Sequence, residues 1–241
     1  MQRRLEVFGR YAAPIYQEIA QRHDFQVLIQ HSSALPERWL ARLSDLATQF
    51  PVLVPVAVPG WVEARETVHE HLRGSRGGPV VMLRIDDDDL ISTDFLDLMA
   101  PHVTEGHHGW CISLGAGLAA HLGPDGIVDL RHVHTPLIAI GQAFVGRYRR
   151  RGHHLDLSPL LSHRQVPRTL PTVVDSRSAA FVHLRHEEQD SWLGSGSRHA
   201  EQRVRDSLAK LQPIHGEEVE ALTAKFPTLA EPLSRCAVAA S

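Results

Sequence analysis

Hydrophobic and polar positions along the first hundred residues alternate between two periods. Residues 3–24, RRLEVFGRYAAPIYQEIAQRHD, carry apolar side chains at helical spacing, with Pro14 as a kink or start signal. Phe25–Gln30 then reads as a short buried strand. In SSALPERWLARLSDLATQF, residues 32–50, a serine pair precedes Pro36, and Trp39, Leu40, Leu43, Leu46, Ala47 and Phe50 recur three or four apart, which predicts a helix with one apolar face. PVLVPVAV predicts a second strand, placed near a sheet edge by Pro55, which has no N–H for a ladder. WVEARETVHEHLRG predicts a helix ending at Gly74, and PVVMLRI a third, continuously apolar strand. Apolar strands separated by helices predict an α/β fold around a mostly parallel sheet covered on both faces.

The pattern changes near residue 105. WCISLGAGLAAHL, the turn GPDG and IVDLRHVHTPLIAIGQAFV predict antiparallel strands with a tight connection. RYRRRGHHLDLSPLLSHRQVPR has no period and predicts a loop. TVVDSRSAAFVHLR returns to strand composition, and helices are predicted near 199–211 and 216–225 before a small-residue tail. The expected organisation is one domain over 1–241, with residues 1–104 as an α/β half and 105–241 as a second half ending in helices.

Composition narrows the function classes. A net charge near −3 gives no global attraction to nucleic acid or membrane surfaces, and no apolar run approaches the roughly 20 residues of a transmembrane helix. The opening MQRRLEVFGRYAAP lacks an apolar core of signal-peptide length. Cys111 and Cys236 are too few and too far apart for a disulfide framework, so a reducing cytoplasm is the expected compartment. The basic run Arg147, Arg149, Arg150 and Arg151 could clamp a diphosphate or an anionic acceptor, but it lacks the interleaved aromatics of a nucleic-acid module and reads equally as a basic surface loop.

The chemistry concentrates in RIDDDDLISTDFLDLM, residues 84–99. Four adjacent carboxylates, Asp86 to Asp89, follow a buried strand and precede a helix that Ser92 or Thr93 can cap. Ligands of α/β sheets bind outside the carboxyl ends of strands, and hard divalent cations take one or two carboxylates there together with substrate phosphates. If the segment is extended, Asp86 and Asp88 share one face and Asp87 the other, with Asp89 undecided. Arg84 is placed to offset the repulsion among them. The spacing excludes an EF-hand loop and the paired aspartates of prenyl synthases, because the fifth residue of the run is Leu90. A solvated acidic loop is the alternative, and the buried strand before the run argues against it.

Histidine is abundant, at 17. His132 and His134 fall on one strand face, a pattern that can bind zinc but here lacks a recognisable third ligand. His183 and His186 lie in FVHLRHEE.

The acidic stretch, together with the upstream FGRYAAPIYQEIAQRHDFQVLIQHSSALPERWLARLSDL, resembles the bacterial putative rhamnosyltransferases, relatives of the family-two glycosyltransferases with the GT-A fold. The similarity covers residues 5–100 well and continues more loosely through GAGL to VVDSRSAAFVHLRHEEQDS. It implies a GT-A-like fold and a glycosyltransferase, with a nucleotide-diphosphate sugar as donor, a saccharide or other hydroxyl compound as acceptor, and Mn²⁺ or Mg²⁺ as cofactor. It places Arg84, Asp86 and Asp87 at the nucleotide sugar, and Asp88, Asp89 and His186 at the metal. Glu187, Glu188 and Asp190 are the carboxylate candidates for the base that deprotonates the acceptor, and their spacing selects none of them. Two departures accompany the similarity. The family's first strand precedes the segment matching Arg4–Phe8, so the fold is expected without it, and the late histidine is followed here by Glu187 where the family has asparagine. A metal-dependent hydrolase using Asp and His ligands, or a non-catalytic truncated homologue, are the competing readings.

Overall fold

The computed structural model of the chain describes residues 1–59, 61–157, 165–186 and 200–238, with the side chains of 61–65 and 200 excepted. The N-terminal helical segment forms as its apolar spacing predicts, in three pieces. These are α1 (Gln2–Val7), a π-helical turn (Phe8–Ala12) and α2 (Ala13–Ala20). Pro14 explains the break, since it has no N–H to donate to Arg10 one turn back, and the wider turn lies just before it. Phe8, Tyr11, Ala12, Ile15, Tyr16 and Ile19 are buried along this segment.

β1 (Val27–Ser32) and β2 (Leu53–Val58) pair in parallel, joined by α3 (Glu37–Gln49), and β2 is followed by α4 (Trp61–His71). Pro55 therefore lies in a strand with one partner among the described residues, as its missing donor requires.

The expectation of a mostly parallel central sheet is corrected at the third strand. β3 (Gly78–Leu83) does not join β1 and β2. It pairs antiparallel with β8 (Gln142–Arg149), which pairs antiparallel with β5 (Cys111–Leu114), and β5 pairs in parallel with β10 (Thr172–Asp175). A short strand, β9 (His154–Asp156), lies on the far part of β8. A second mixed sheet runs β4 (Asp89–Ile91), β11 (Phe181–Arg185), β6 (Ala116–Gly123), β7 (Gly126–His134), and only its β11–β6 pair is parallel. A continuous apolar run predicts burial on both faces, whereas β3 is only partly buried. Such a run says nothing about the direction of the neighbouring strands, and that is why the sequence pattern was misleading here.

β6 and β7 form the predicted hairpin across Pro124–Asp125. The region read as a loop from Arg147 contains the end of β8 and all of β9. α5 (Phe95–Met99) follows β4. Toward the C-terminus come α6 (Ala200–Leu208), α7 (Val219–Lys225) and α8 (Ala230–Cys236), the last formed from residues read as tail. One continuous core includes Ile15, Phe95, Ile112, Leu118, Phe181, Phe226 and Leu233, so the N-terminal helices, both mixed sheets and the C-terminal helices share buried contacts. No described helix is long and apolar enough to cross a membrane.

Strand direction fixes where chemistry can sit. β3, β5 and β10 all run opposite to β8, so their carboxyl ends share one sheet edge. Leu83, Ala143, Ile112 and Val173 form one cross-strand row just inside it.

Candidate functional site

The aspartate run leaves β3 at this edge. Residues 86–89 are not extended: the Asp89 N–H donates to the Asp86 carbonyl at 3.2 Å, closing a turn. The alternating-face expectation therefore does not apply, and each carboxylate takes its direction from the turn.

Asp87 points to the N-terminal helix, where the Arg4 guanidinium lies 2.5 Å from its Oδ1 in a partly exposed pair. Asp88 points to the end of β11. Its Oδ2 lies 3.1 Å from Nε2 of His186, with both side chains largely buried. Pairing explains the meeting: β4 runs antiparallel to β11 with Asp89 opposite His183, so residues just before β4 lie beside those just after β11.

Asp89 is buried at 4% exposure, and its Oδ1 has no hydrogen-bond partner among the described residues. Burial, then Asp88 and Asp86, push its carboxyl well above the usual range, against a lowering hydrogen bond from the Leu184 amide. Asp86 is also raised, by partial desolvation of its carboxyl and then by Asp88, while Arg84 pulls it down. Nδ1 of His186 is buried and has no hydrogen-bond partner among the described residues. His183, next along β11, is lowered to about 4 by burial and then by Arg185, so it is neutral at physiological pH. The Tyr16 hydroxyl donates to the Asp89 carbonyl at 3.4 Å, and burial followed by Asp89 keeps it protonated by raising it strongly.

The downstream side of the turn is held firmly. Ser92, buried, donates through Oγ to Asp94 at 2.7 Å, and Asp94 rather than Ser92 or Thr93 occupies the N-cap of α5, without a side-chain cap bond. The Thr93 amide and hydroxyl donate to the Lys225 and Ala224 carbonyls, and Lys225 Nζ pairs with Asp94. Arg22 reaches the Thr93 carbonyl and Asp97. Helices from both ends of the chain thus fix β4.

Of the expected site residues, Asp88 and His186 meet directly, while Asp86 and Asp89 are close enough to Asp88 for their carboxyls to be raised by it, and Arg84 acts on Asp86 in the opposite sense. Asp87 is engaged by Arg4 on another side of the turn. Glu187, Glu188 and Asp190 lie outside the described residues. Among the described residues no three His, Cys, Asp or Glu side chains converge as a metal-holding group; Asp88 and His186 are a pair. His132 is accounted for differently, since its Nε2 lies 3.1 Å from Glu218, which also accepts from the His215 amide at the helix start beyond it. The arginine run cannot clamp a diphosphate beside the aspartates. Arg147–Arg149 lie alongside the start of β3, roughly 16 Å along the strand from its end. Arg4 and Tyr16 were missed by sequence reasoning because they lie more than 70 residues upstream, on a helix whose pattern signals only packing.

The model of the putative rhamnosyl transferase family matches residues 1–197. The chain belongs to this family. Membership of a rhamnosyl transferase family supports glycosyl transfer as the general chemistry, with a sugar donor and an acceptor as its reactants. No curated protein and no solved structure matches the chain.

Proposed function

We propose that this family member is a metal-dependent glycosyltransferase that moves a sugar, rhamnose by the family's description, from a nucleotide-diphosphate donor to an acceptor hydroxyl. The observation that carries the reading is the Asp88–His186 pair at a sheet edge, beside Asp86 and Asp89, whose carboxyls are raised by burial first and then by Asp88.

The residues suit a divalent cation. Asp88 supplies a hard oxygen and His186 an imidazole nitrogen, a mixed set that suits Mn²⁺ at least as well as Mg²⁺. Two protein ligands would leave the remaining ligand positions of such an ion to substrate phosphates and water. When bound, the ion neutralises charge on the departing nucleoside diphosphate. A cation held by the pair would favour the ionised form of the neighbouring Asp89, which burial and then Asp88 otherwise oppose, while His183 stays neutral and does not oppose a cation.

In the transfer, the acceptor oxygen bonds to the anomeric carbon and the bond from that carbon to the diphosphate breaks. The electron pair leaves with the nucleoside diphosphate, and the acceptor proton passes to a carboxylate base. Glu187, Glu188 and Asp190 remain the candidates for that base, since they directly follow His186. On this reading Arg84 and Asp86 face the nucleotide sugar, residues 1–104 form the donor half and 105–241 the acceptor half. A hydrolase would release sugar without an acceptor, whereas the transferase couples nucleoside diphosphate release to acceptor. Incubating the chain with a panel of nucleotide sugars and Mn²⁺, with and without saccharide acceptors, and following products by mass spectrometry, separates the two. Acceptor-dependent release supports transfer, and equal release without acceptor overturns it.

A further inference from the structure

The sheet edge that carries the aspartate turn carries a second feature at its other end. Leu114 and Asp175 are the paired last residues of the parallel strands β5 and β10. With Leu98 of α5 and Arg177 and Ser178 beyond β10, they line an open pocket of about 240 Å³. Three strand spacings separate β10 from β3, so the pocket lies roughly 14 Å along the edge from the end of β3. Leu98 sits on the helix that follows the aspartate turn, so one continuous segment contributes to both places.

The lining defines the chemistry. Asp175 Oδ1 accepts from the amide and Nε of Arg177, both at 3.0 Å, and Oδ2 accepts from Nη2 at 2.7 Å. This pairing holds the carboxyl down at about 2, so it is ionised and its charge is matched by the guanidinium. The Asp175 side chain is 13% exposed and that of Arg177 88%, so the fork is fixed on its inner side and open on its outer side. A matched carboxylate and guanidinium offer acceptors and donors side by side, the complement of neighbouring hydroxyls. Leu98 and Leu114 offer apolar surface to a C–H face. An anion would meet Asp175, and no aromatic residue in the lining offers a stacking surface to a base. The volume is below the roughly 300–1,000 Å³ of sites for drug-sized ligands, and suits one ring.

We propose that this pocket binds one ring of a neutral saccharide, the acceptor of the transferred sugar. The assignment of the ring as acceptor rests on the glycosyltransferase reading; the sugar-binding site itself does not. The test is saturation-transfer difference NMR on the full chain with neutral methyl hexosides, methyl 6-deoxyhexosides and a methyl uronoside, using wild type, Arg177→Ala and Leu98→Trp. Calorimetry with nucleoside diphosphates and Mn²⁺ runs in parallel. Arg177 is exposed, so its removal leaves folding intact, and thermal unfolding checks Leu98→Trp.

At least one neutral glycoside is expected to bind wild type. Each variant should weaken it by about tenfold or more, the loss of a charged hydrogen bond or of the space, without changing nucleoside diphosphate binding. No glycoside binding, binding unaffected by both variants, or preference for the uronoside would overturn the site. Glycoside binding that follows the variants in a chain that binds no nucleoside diphosphate would keep the sugar site and remove the transferase reading. The reverse pattern would keep the transferase reading and remove this site.

Discussion

Nε2 of His186 stands 3.1 Å from Oδ2 of Asp88, across 98 residues of sequence. The contact exists because β4 and β11 are antiparallel neighbours, which brings the turn before β4 against the chain leaving β11. Sequence proximity has no part in it. The pair concentrates one carboxylate and one imidazole at the edge of a sheet, and Asp89, the next residue after Asp88, is buried.

Asp89 costs the fold stability in the absence of a cation. Its carboxyl is buried, one oxygen has no hydrogen-bond partner among the described residues, and neighbouring carboxylates repel it. Asp89→Asn keeps the shape and an oxygen for the Leu184 amide while removing the charge. Metal-free Asp89→Asn is expected to be more stable than wild type by about 1 kcal/mol at neutral pH, within the usual range of stabilising substitutions. Thermal unfolding in chelator measures this; a lower melting temperature than wild type would contradict the assignment of Asp89 as a destabilising charge.

His183 gives acid sensitivity of definite sign. Its folded value near 4 lies below the ordinary 6.5, so between them the unfolded chain holds more protons than the folded one. The associated stability is complete above pH 6.5 and is lost as pH falls towards 4, by at most about 3 kcal/mol. His183→Gln should show a shallower loss than wild type across this window in urea denaturation. Parallel pH profiles for the two proteins would show that His183 is not the group responsible.

Gly117 permits the close approach of β11 to β6. A Cβ there would lie 2.6 Å from both the Phe181 ring and the Phe181 carbonyl oxygen. Backbone cannot yield as a flexible side chain does, so Gly117→Ala is expected to cost roughly 1–3 kcal/mol and to shift β11. Since β11 carries His186 towards Asp88, Mn²⁺ affinity should fall with stability. Unfolding and metal titration of the same variant test this, and unchanged values in both would contradict the tight packing at this position.

Much of the fold was legible in the sequence where burial follows a clear period. The helix over 37–49 shows its apolar stripe, and the β6–β7 hairpin shows its turn residues. The direction of β3 was not legible, because Val80 to Leu83 read the same beside a parallel or an antiparallel neighbour. The site was legible in part. A run of aspartates after an apolar strand drew the site to residues 86–89, and the similarity to the rhamnosyltransferases singled out His186. Two features depended on tertiary structure alone: the turn that sends Asp87 to Arg4, and the Tyr16 hydroxyl on the Asp89 carbonyl. No local pattern encodes contacts between a helix packed for its apolar face and a turn 70 residues away.

The most direct test of the central claim is calorimetric titration of wild type and Asp88→Ala with a panel of nucleoside diphosphates, with and without Mn²⁺. One nucleoside diphosphate is expected to bind wild type only when Mn²⁺ is present, and Asp88→Ala to abolish this binding while remaining folded. Binding that is indifferent to Mn²⁺, or retained in full by Asp88→Ala, would contradict it.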